Sequence, residues 1–211
     1  MSFKQQYYEN AAATIIKNLQ KRQMVGYYCP DRAAAREKVL ELIPAGASVG
    51  WGGSVTLNET GILDAVRAGD YQVLDRDTAK TPAEQKKMYG AICAADCFLM
   101  STNAITLDGE LVNVDNRGNR VSFLCFGPDK VIVVAGMNKV VADVECGIRR
   151  ARDIAAPPNT LRLNRKTPCS VTGRCGDCQS PDCICAQTVI TRRSAFKDRI
   201  VVVLVGEELG Y

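Results

Sequence analysis

The 211-residue chain has no histidine. No Ser–His or Cys–His catalytic pair can form, and no imidazole can hold a metal. A metal must then take thiolates, carboxylates or backbone oxygen. Acid–base chemistry near neutrality must use Asp, Glu, Lys, Tyr or Cys with a shifted pKa, or a cofactor. Long apolar runs are also missing. The longest, Val131 to Met137 and Ile200 to Gly206, are seven residues each, against the roughly 20 that a membrane-spanning helix needs. The opening Met1-Ser2-Phe3-Lys4-Gln5-Gln6 lacks the basic and apolar segments of a secretory leader, so a cytoplasmic protein is expected. Aromatics are few, and Tyr7, Tyr8, Tyr27, Tyr28 and Trp51 read as core rather than as cofactor stackers. The balance of 46% hydrophobic and 24% charged residues excludes disordered, collagen-like and coiled-coil chains. A chain of this length suits one domain over residues 1–211 and needs no staple to hold its core.

Cysteine is what the chain has in excess, with ten. Absence of an export signal predicts reduced thiols rather than a disulfide framework. Cys29, Cys93, Cys97, Cys125 and Cys146 sit inside apolar patterns and read as small core residues. The other five crowd into Pro168-Cys169-Ser-Val-Thr-Gly-Arg-Cys175-Gly-Asp-Cys178-Gln-Ser-Pro-Asp-Cys183-Ile-Cys185. Cys175-x2-Cys178 is a chelating loop, because two intervening residues let both sulfurs reach one metal. Cys169 and Cys185 can complete a tetrahedron. Cys183 and Cys185 point opposite ways in an extended chain, so only one of them is expected to join. Zinc and an iron–sulfur cluster both accept four thiolates, and spacing does not separate them. Two disulfides or free thiols are the alternatives. Residues 151–199 also carry nine Lys or Arg against four Asp or Glu. Charge compensation of thiolates explains this surplus better than a nucleic-acid footprint, because no basic run interleaved with aromatics is present.

Helices are predicted over 3–23, 32–43, 57–67, 82–94, 120–125 and 139–155. Strands are predicted over 23–29, 47–50, 71–74, 96–101, 130–135, 188–191 and 199–205. Ile105–Leu107 and Glu110–Val114 flank Asp108-Gly109, which predicts a hairpin with a two-residue turn. The alternation implies an α/β fold: a mainly parallel sheet flanked by helices, with one inserted hairpin. Residues 157–186, with four prolines and five cysteines, read as a metal-binding loop excursion from it.

Three loops follow strands: Gly52-Gly53-Ser54 with Thr56, Ser101-Thr102-Asn103, and Asn116-Arg117-Gly118-Asn119-Arg120. In open α/β sheets ligands sit beyond the carboxyl ends of strands. Backbone N–H groups, hydroxyls, amides and the two arginines suit a phosphate or carboxylate there. Each has a plainer role too, as turn glycine, helix cap or solvated side chain. Glu59 and Asp115 flank these loops and are the candidate general bases.

These segments resemble the LUD domain, the lactate-utilisation family. The resemblance runs through Gly52-Gly53-Ser54-Val55-Thr56 with Glu59-Thr60-Gly61, through Asn103 to Asp115, and through Gly118-Asn119-Arg120. Phe126-Gly127-Pro128, Gly136-x-Asn138-Lys139-Val140-Val141 and the tail from Ile200 extend it. It implies a fold like that of sugar-phosphate isomerases and CoA-transferases, a link to lactate oxidation, and iron–sulfur electron-transfer partners. The single-domain form carries a C-terminal cysteine pattern that falls on Cys169, Cys175, Cys178 and Cys185, with Cys183 where an arginine is expected. Three functions follow as expectations. One is a redox-associated protein that binds an anionic small molecule and carries an iron–sulfur or zinc centre. Another is an isomerase- or transferase-like enzyme, with Glu59 or Asp115 as base and a structural metal. The third is a zinc-knuckle module for nucleic acid.

Overall fold

A computed structural model describes residues 2–211. Helix α1 (Phe3–Lys21) opens on a capping box, in which the Ser2 hydroxyl accepts from the Gln5 N–H and the Gln5 side chain accepts from the Ser2 N–H. Its inward face is Tyr8, Ala11, Ala12, Ile15 and Leu19, a spacing of three and four. Tyr7, read from the sequence as core, is one position off that face and is exposed.

The predicted alternation follows: β1 (Val25–Cys29), α2 (Arg32–Leu42), β2 (Ser48–Trp51), α3 (Val55–Glu59), α4 (Ile62–Ala68), β3 (Gln72–Leu74), α5 (Pro82–Cys93) and β4 (Cys97–Met100). The single helix predicted over 57–67 is two, parted at Gly61, whose φ of +68° interrupts a helix. Then come β5 (Ala104–Thr106), β6 (Leu111–Asp115), α6 (Asn119–Cys125), β7 (Lys130–Gly136), β8 (Val140–Val141) and α7 (Val144–Arg150). The chain ends with α8 (Ala156–Arg162), α9 (Pro168–Thr172), β9 (Gln187–Thr191) and β10 (Ile200–Val205).

Six strands form one sheet in the order β1-β10-β7-β4-β2-β3, and every neighbouring pair is parallel. Its central strands are buried on both faces, which is why they read as unbroken apolar runs. In β7, Val131, Val133 and Ala135 face one core, with α1 and α5. Ile132 and Val134 face the other, with α2, α3 and α4. The fold is therefore α/β with a mainly parallel sheet flanked by helices.

The hairpin is more than an insertion. It belongs to a second sheet of order β8-β5-β6-β9, so β9, expected to return to the main sheet, pairs antiparallel with β6 instead. Its turn holds three residues, not two. Thr106 N–H donates to the Glu110 carbonyl and Gly109 N–H to the Thr106 carbonyl, 2.9 Å each, with Gly109 at φ +85°. That is the three-residue loop with a left-handed third position.

The helix predicted over 139–155 starts later, at Val144, because Val140–Val141 pair with β5. It also runs further. A π-helical turn, Ala151–Ala155, carries α7 into α8 despite Pro157 and Pro158. Proline is tolerated there because it lies in the first turn of α8. The stretch 157–186 is thus not all loop, since it contains most of α8 and all of α9. Cys29 and Cys97 are buried as predicted, whereas Cys93 and Cys146 are partly buried and Cys125 is exposed. In α6, Val121, Phe123 and Leu124 turn inward, which leaves Cys125 facing out. Among the described residues no helix is long and apolar enough to cross a membrane.

Candidate functional site

From β2 the chain passes through α3 and α4 to β3 on one side. From β3 it returns through α5 to β4 on the other side of β2. The loops leaving β2 and β4 therefore part, and the crevice between them is a topological switch point. A cleft of about 220 Å³ lies there. The three predicted loops meet in it: Gly53, Ser54 and Thr56 beyond β2, Ser101, Thr102 and Asn103 beyond β4, and Asp115, Asn116, Asn119 and Arg120 beyond β6. Gly52, Arg117, Gly118 and Glu59 are not in its lining. Gly52 lies behind it, where a Cβ would stand 3.1 Å from Arg120 Cγ.

Much of this polar equipment is turned to internal use. The Ser54 hydroxyl caps α3 by accepting from Leu57 N–H at 3.2 Å. Thr102 donates to the carbonyls of Ala104 and Val112. Arg120 donates to the carbonyls of Ser101 and Val114 and to the side-chain oxygens of Asn103 and Asn113, and lies 3.7 Å from Asp115. Its guanidinium is a buried tie between the two sheets. Asp115 accepts from the N–H groups of Asn116 and Val121, at 2.8 and 3.3 Å, and so caps α6. Arg117 is exposed. Glu59 is also exposed, and its carboxylate accepts from Gly210 N–H at 2.7 Å, which ties down the C-terminal tail.

The cleft also holds a buried amine that motif reading did not single out. Lys139 follows β7 and is buried to 3% exposure. Its Nζ donates to Thr56 Oγ1 at 2.8 Å and Ser101 Oγ at 2.9 Å. Among the described residues no carboxylate side chain pairs with it. Burial first, then the Arg150 and Arg120 cations, pull its pKa down to about 7, opposed only by Glu59. Arg150 is itself fixed, donating to the carbonyls of Asn138 and Asn103. The signal in the sequence was a lysine two positions beyond the apolar run Val131 to Met137. Arg76, Asn159, Arg162 and Tyr211 also line the cleft and carried no motif. Arg162 rests on Asn159 Oδ1 at 2.7 Å. Among the side chains lining the cleft, Arg76, Arg162, Arg120 and Lys139 stand against one acidic residue, Asp115. The π-helical turn supplies an apolar wall through Ala151 and Ala155. Such turns are frequent at functional sites.

The cysteine segment borders the same cleft through Ile184 and Cys185. Burial, helped by neighbouring Cys183, Cys175 and Cys169, pushes the Cys185 thiol up to about 12. Cys183 lies beside Cys178 and accepts from Cys185 N–H at 3.4 Å. Arg152 donates to Cys175 Sγ at 3.4 Å, and Thr167 Oγ1 lies 3.2 Å from Cys169 Sγ. The donor set suits a thiolate-bound metal chemically, and Cys183, left out of the expected four, stands between Cys178 and Cys185. Among the described residues, however, no three His, Cys, Asp or Glu side chains are gathered so as to hold a metal ion. As placed, the thiols share a neighbourhood without forming a coordination shell.

The LUD domain model matches residues 12–205. The chain belongs to the LUD domain family. Among solved structures, this LUD protein is similar to a DUF162 family protein from Deinococcus radiodurans, with 11% identity and a TM-score of 0.54, over 94% of this chain and 97% of that one. A ribose 5 phosphate isomerase A from Neisseria gonorrhoeae gives a TM-score of 0.36 at 11% identity, over 54% of each chain. The first likeness is one of fold alone, and the second is too partial to extend it. No curated protein matches the chain.

Proposed function

We propose that this LUD-family protein serves lactate utilisation by holding a small anionic metabolite, carboxylated or phosphorylated, in the cleft at the β2/β4 switch point. Lys139 is its working group. Membership of the family supports the link to lactate. The observation that carries the reading is the Lys139 amine, buried at the cleft floor, bonded only to two hydroxyls and flanked by fixed arginines. A protonated amine there is short of a counter-charge, and an anionic ligand brings one. Arg76 and Arg162 at the cleft wall suit the ligand's anionic group. This site favours Lys139 over Glu59 or Asp115 as the proton-handling group, because both carboxylates are engaged with backbone N–H groups.

Calorimetric titration with lactate, pyruvate and inorganic phosphate tests the reading. At least one is expected to bind, and Arg162→Gln with Arg76→Gln is expected to weaken it about tenfold, or ~1.4 kcal/mol. Absence of binding by all three, or equal affinity in the double variant, contradicts it.

A second reading concerns the thiols. The contacts of Cys183 with Cys178 and Cys185, and the nearness of Cys169 and Cys175 to Cys185, support a metal centre that the loop closes on binding, since metal affinity and local folding are coupled. Anaerobically prepared protein is expected to hold either iron with sulfide and visible absorbance, which supports a redox role with iron–sulfur partners, or one colourless zinc, which makes the centre structural. Protein that takes up neither contradicts this second reading.

A further inference from the structure

The Lys139 amine is placed to do more than exchange a proton. It ends at the floor of the cleft, 2.8 and 2.9 Å from two hydroxyls, Thr56 Oγ1 and Ser101 Oγ, and the two hydroxyls lie 3.5 Å from each other. The tail packs against it, since a Cβ on Gly210 would stand 3.5 Å from Nζ. Arg120 and Arg150 are locked by their own hydrogen bonds and do not move to relieve it.

We propose that Lys139 forms a covalent imine with a small 2-oxo carboxylate. This inference rests on the anion-binding reading above and names the substrate class and the chemistry. The uncharged amine adds to the carbonyl carbon to give a carbinolamine. A proton passes from nitrogen to the former carbonyl oxygen, and the paired hydroxyls of Thr56 and Ser101 form the relay. Loss of one water gives the imine, with no oxidant or reductant needed. A protonated imine is cationic, and the one acidic side chain of the cleft, Asp115, is already engaged by Arg120 and two backbone N–H groups. A carboxylate bonded to the imine carbon supplies an anion, which selects 2-oxo acids over simple ketones. Arg162 and Arg76 suit the carboxylate, and the small side chains of Ala151 and Ala155 leave room for a methyl group. With its pKa lowered to about 7, Lys139 keeps a substantial uncharged fraction at neutral pH, which agrees with this role.

The test is reductive trapping. The full chain is incubated with pyruvate and cyanoborohydride, and the adduct is mapped by peptide mass spectrometry. One reduced pyruvyl group per chain on Lys139 is expected, with none on Lys139→Arg or Lys139→Met, less on Arg162→Gln, and none with acetone at equal concentration. Labelling spread over surface lysines, or equal labelling by acetone, overturns the inference. If calorimetry shows pyruvate binding but Lys139 stays unmodified, the imine is overturned and the anion site stands. If pyruvate, lactate and phosphate all fail to bind, the anion site falls too. The wild-type map and Arg162→Gln decide the matter even if the Lys139 variants do not fold.

Discussion

Lys139 has two hydroxyl neighbours and no carboxylate partner, and that makes it expensive to bury when charged. Its pKa of about 7 in the folded chain lies below the 10.5 of the free side chain. Below pH 7 the group is charged in both states and the burial cost is felt in full. As pH rises from 7 to 10.5 the unfolded chain holds the extra proton, so stability rises across that window. Lys139→Met is therefore expected to raise the denaturant midpoint more at pH 6 than at pH 9, the full effect at acid pH being on the order of 4 kcal/mol before lost hydrogen bonds are counted. Equal effects at the two pH values contradict the assignment. Residue chemistry was only partly legible in the sequence. Ser54, Thr102 and Arg120 had the right atoms for an anion, but a sequence does not say which partner a polar group will find, and all three found internal ones. Lys139 stood in a stretch that resembles the family but carried no assigned role, and it gained its character from burial first and then from Arg150 and Arg120, which only the fold brings together with Thr56.

At the scale of elements, local chemistry was more readable. The helix predicted over 82–94 is preceded by Thr81 and has Pro82 and Glu84 in its first turn, and α5 opens there with both arms of a capping box. Thr81→Ala is expected to cost about 1 kcal/mol in urea denaturation. A null effect means the box is frayed in solution. Gly109 sits at φ +85°, and a Cβ there would lie 3.1 Å from the Leu19 backbone nitrogen. Gly109→Val is expected to cost more than the cap, roughly 2–3 kcal/mol, because strain at a positive φ adds to a contact with α1. Glycine and proline were less reliable where length or neighbours decided. Asp108-Gly109 fixed the turn's place but not its three-residue length. Pro157 and Pro158 read as a stop, yet both fit the first turn of α8, entered through the π-helical turn.

At the scale of the whole molecule, the six-stranded sheet divides two cores, and its strands belong to both. Val133 looks into one and Ile132 and Val134 into the other. Neither core can melt while leaving β7 in place, so cooperative unfolding is expected. The fluorescence of Trp51, which lies in the second core, and the far-UV circular dichroism should follow one urea transition, and Ile132→Ala should shift both together by about 2–4 kcal/mol. Separate transitions contradict a shared sheet. The alternation of strands and helices made this layer readable, because periodicity reports which faces are buried. The second sheet was not readable, because β8 has two residues and β9 pairs with β6 across more than 70 positions of chain. Nor was the meeting of the cysteine segment with the cleft, which rests on tertiary contact through Ile184 and Cys185.

The proposed function turns on the state of one amine. Titration of the Lys139 Nζ by heteronuclear NMR, with Lys139→Arg to assign the signal, reads that state directly. The account predicts a midpoint near pH 7. A midpoint near the ordinary lysine value of 10.5 leaves the amine charged at neutral pH and contradicts both the proton-handling role of Lys139 and the imine built on it.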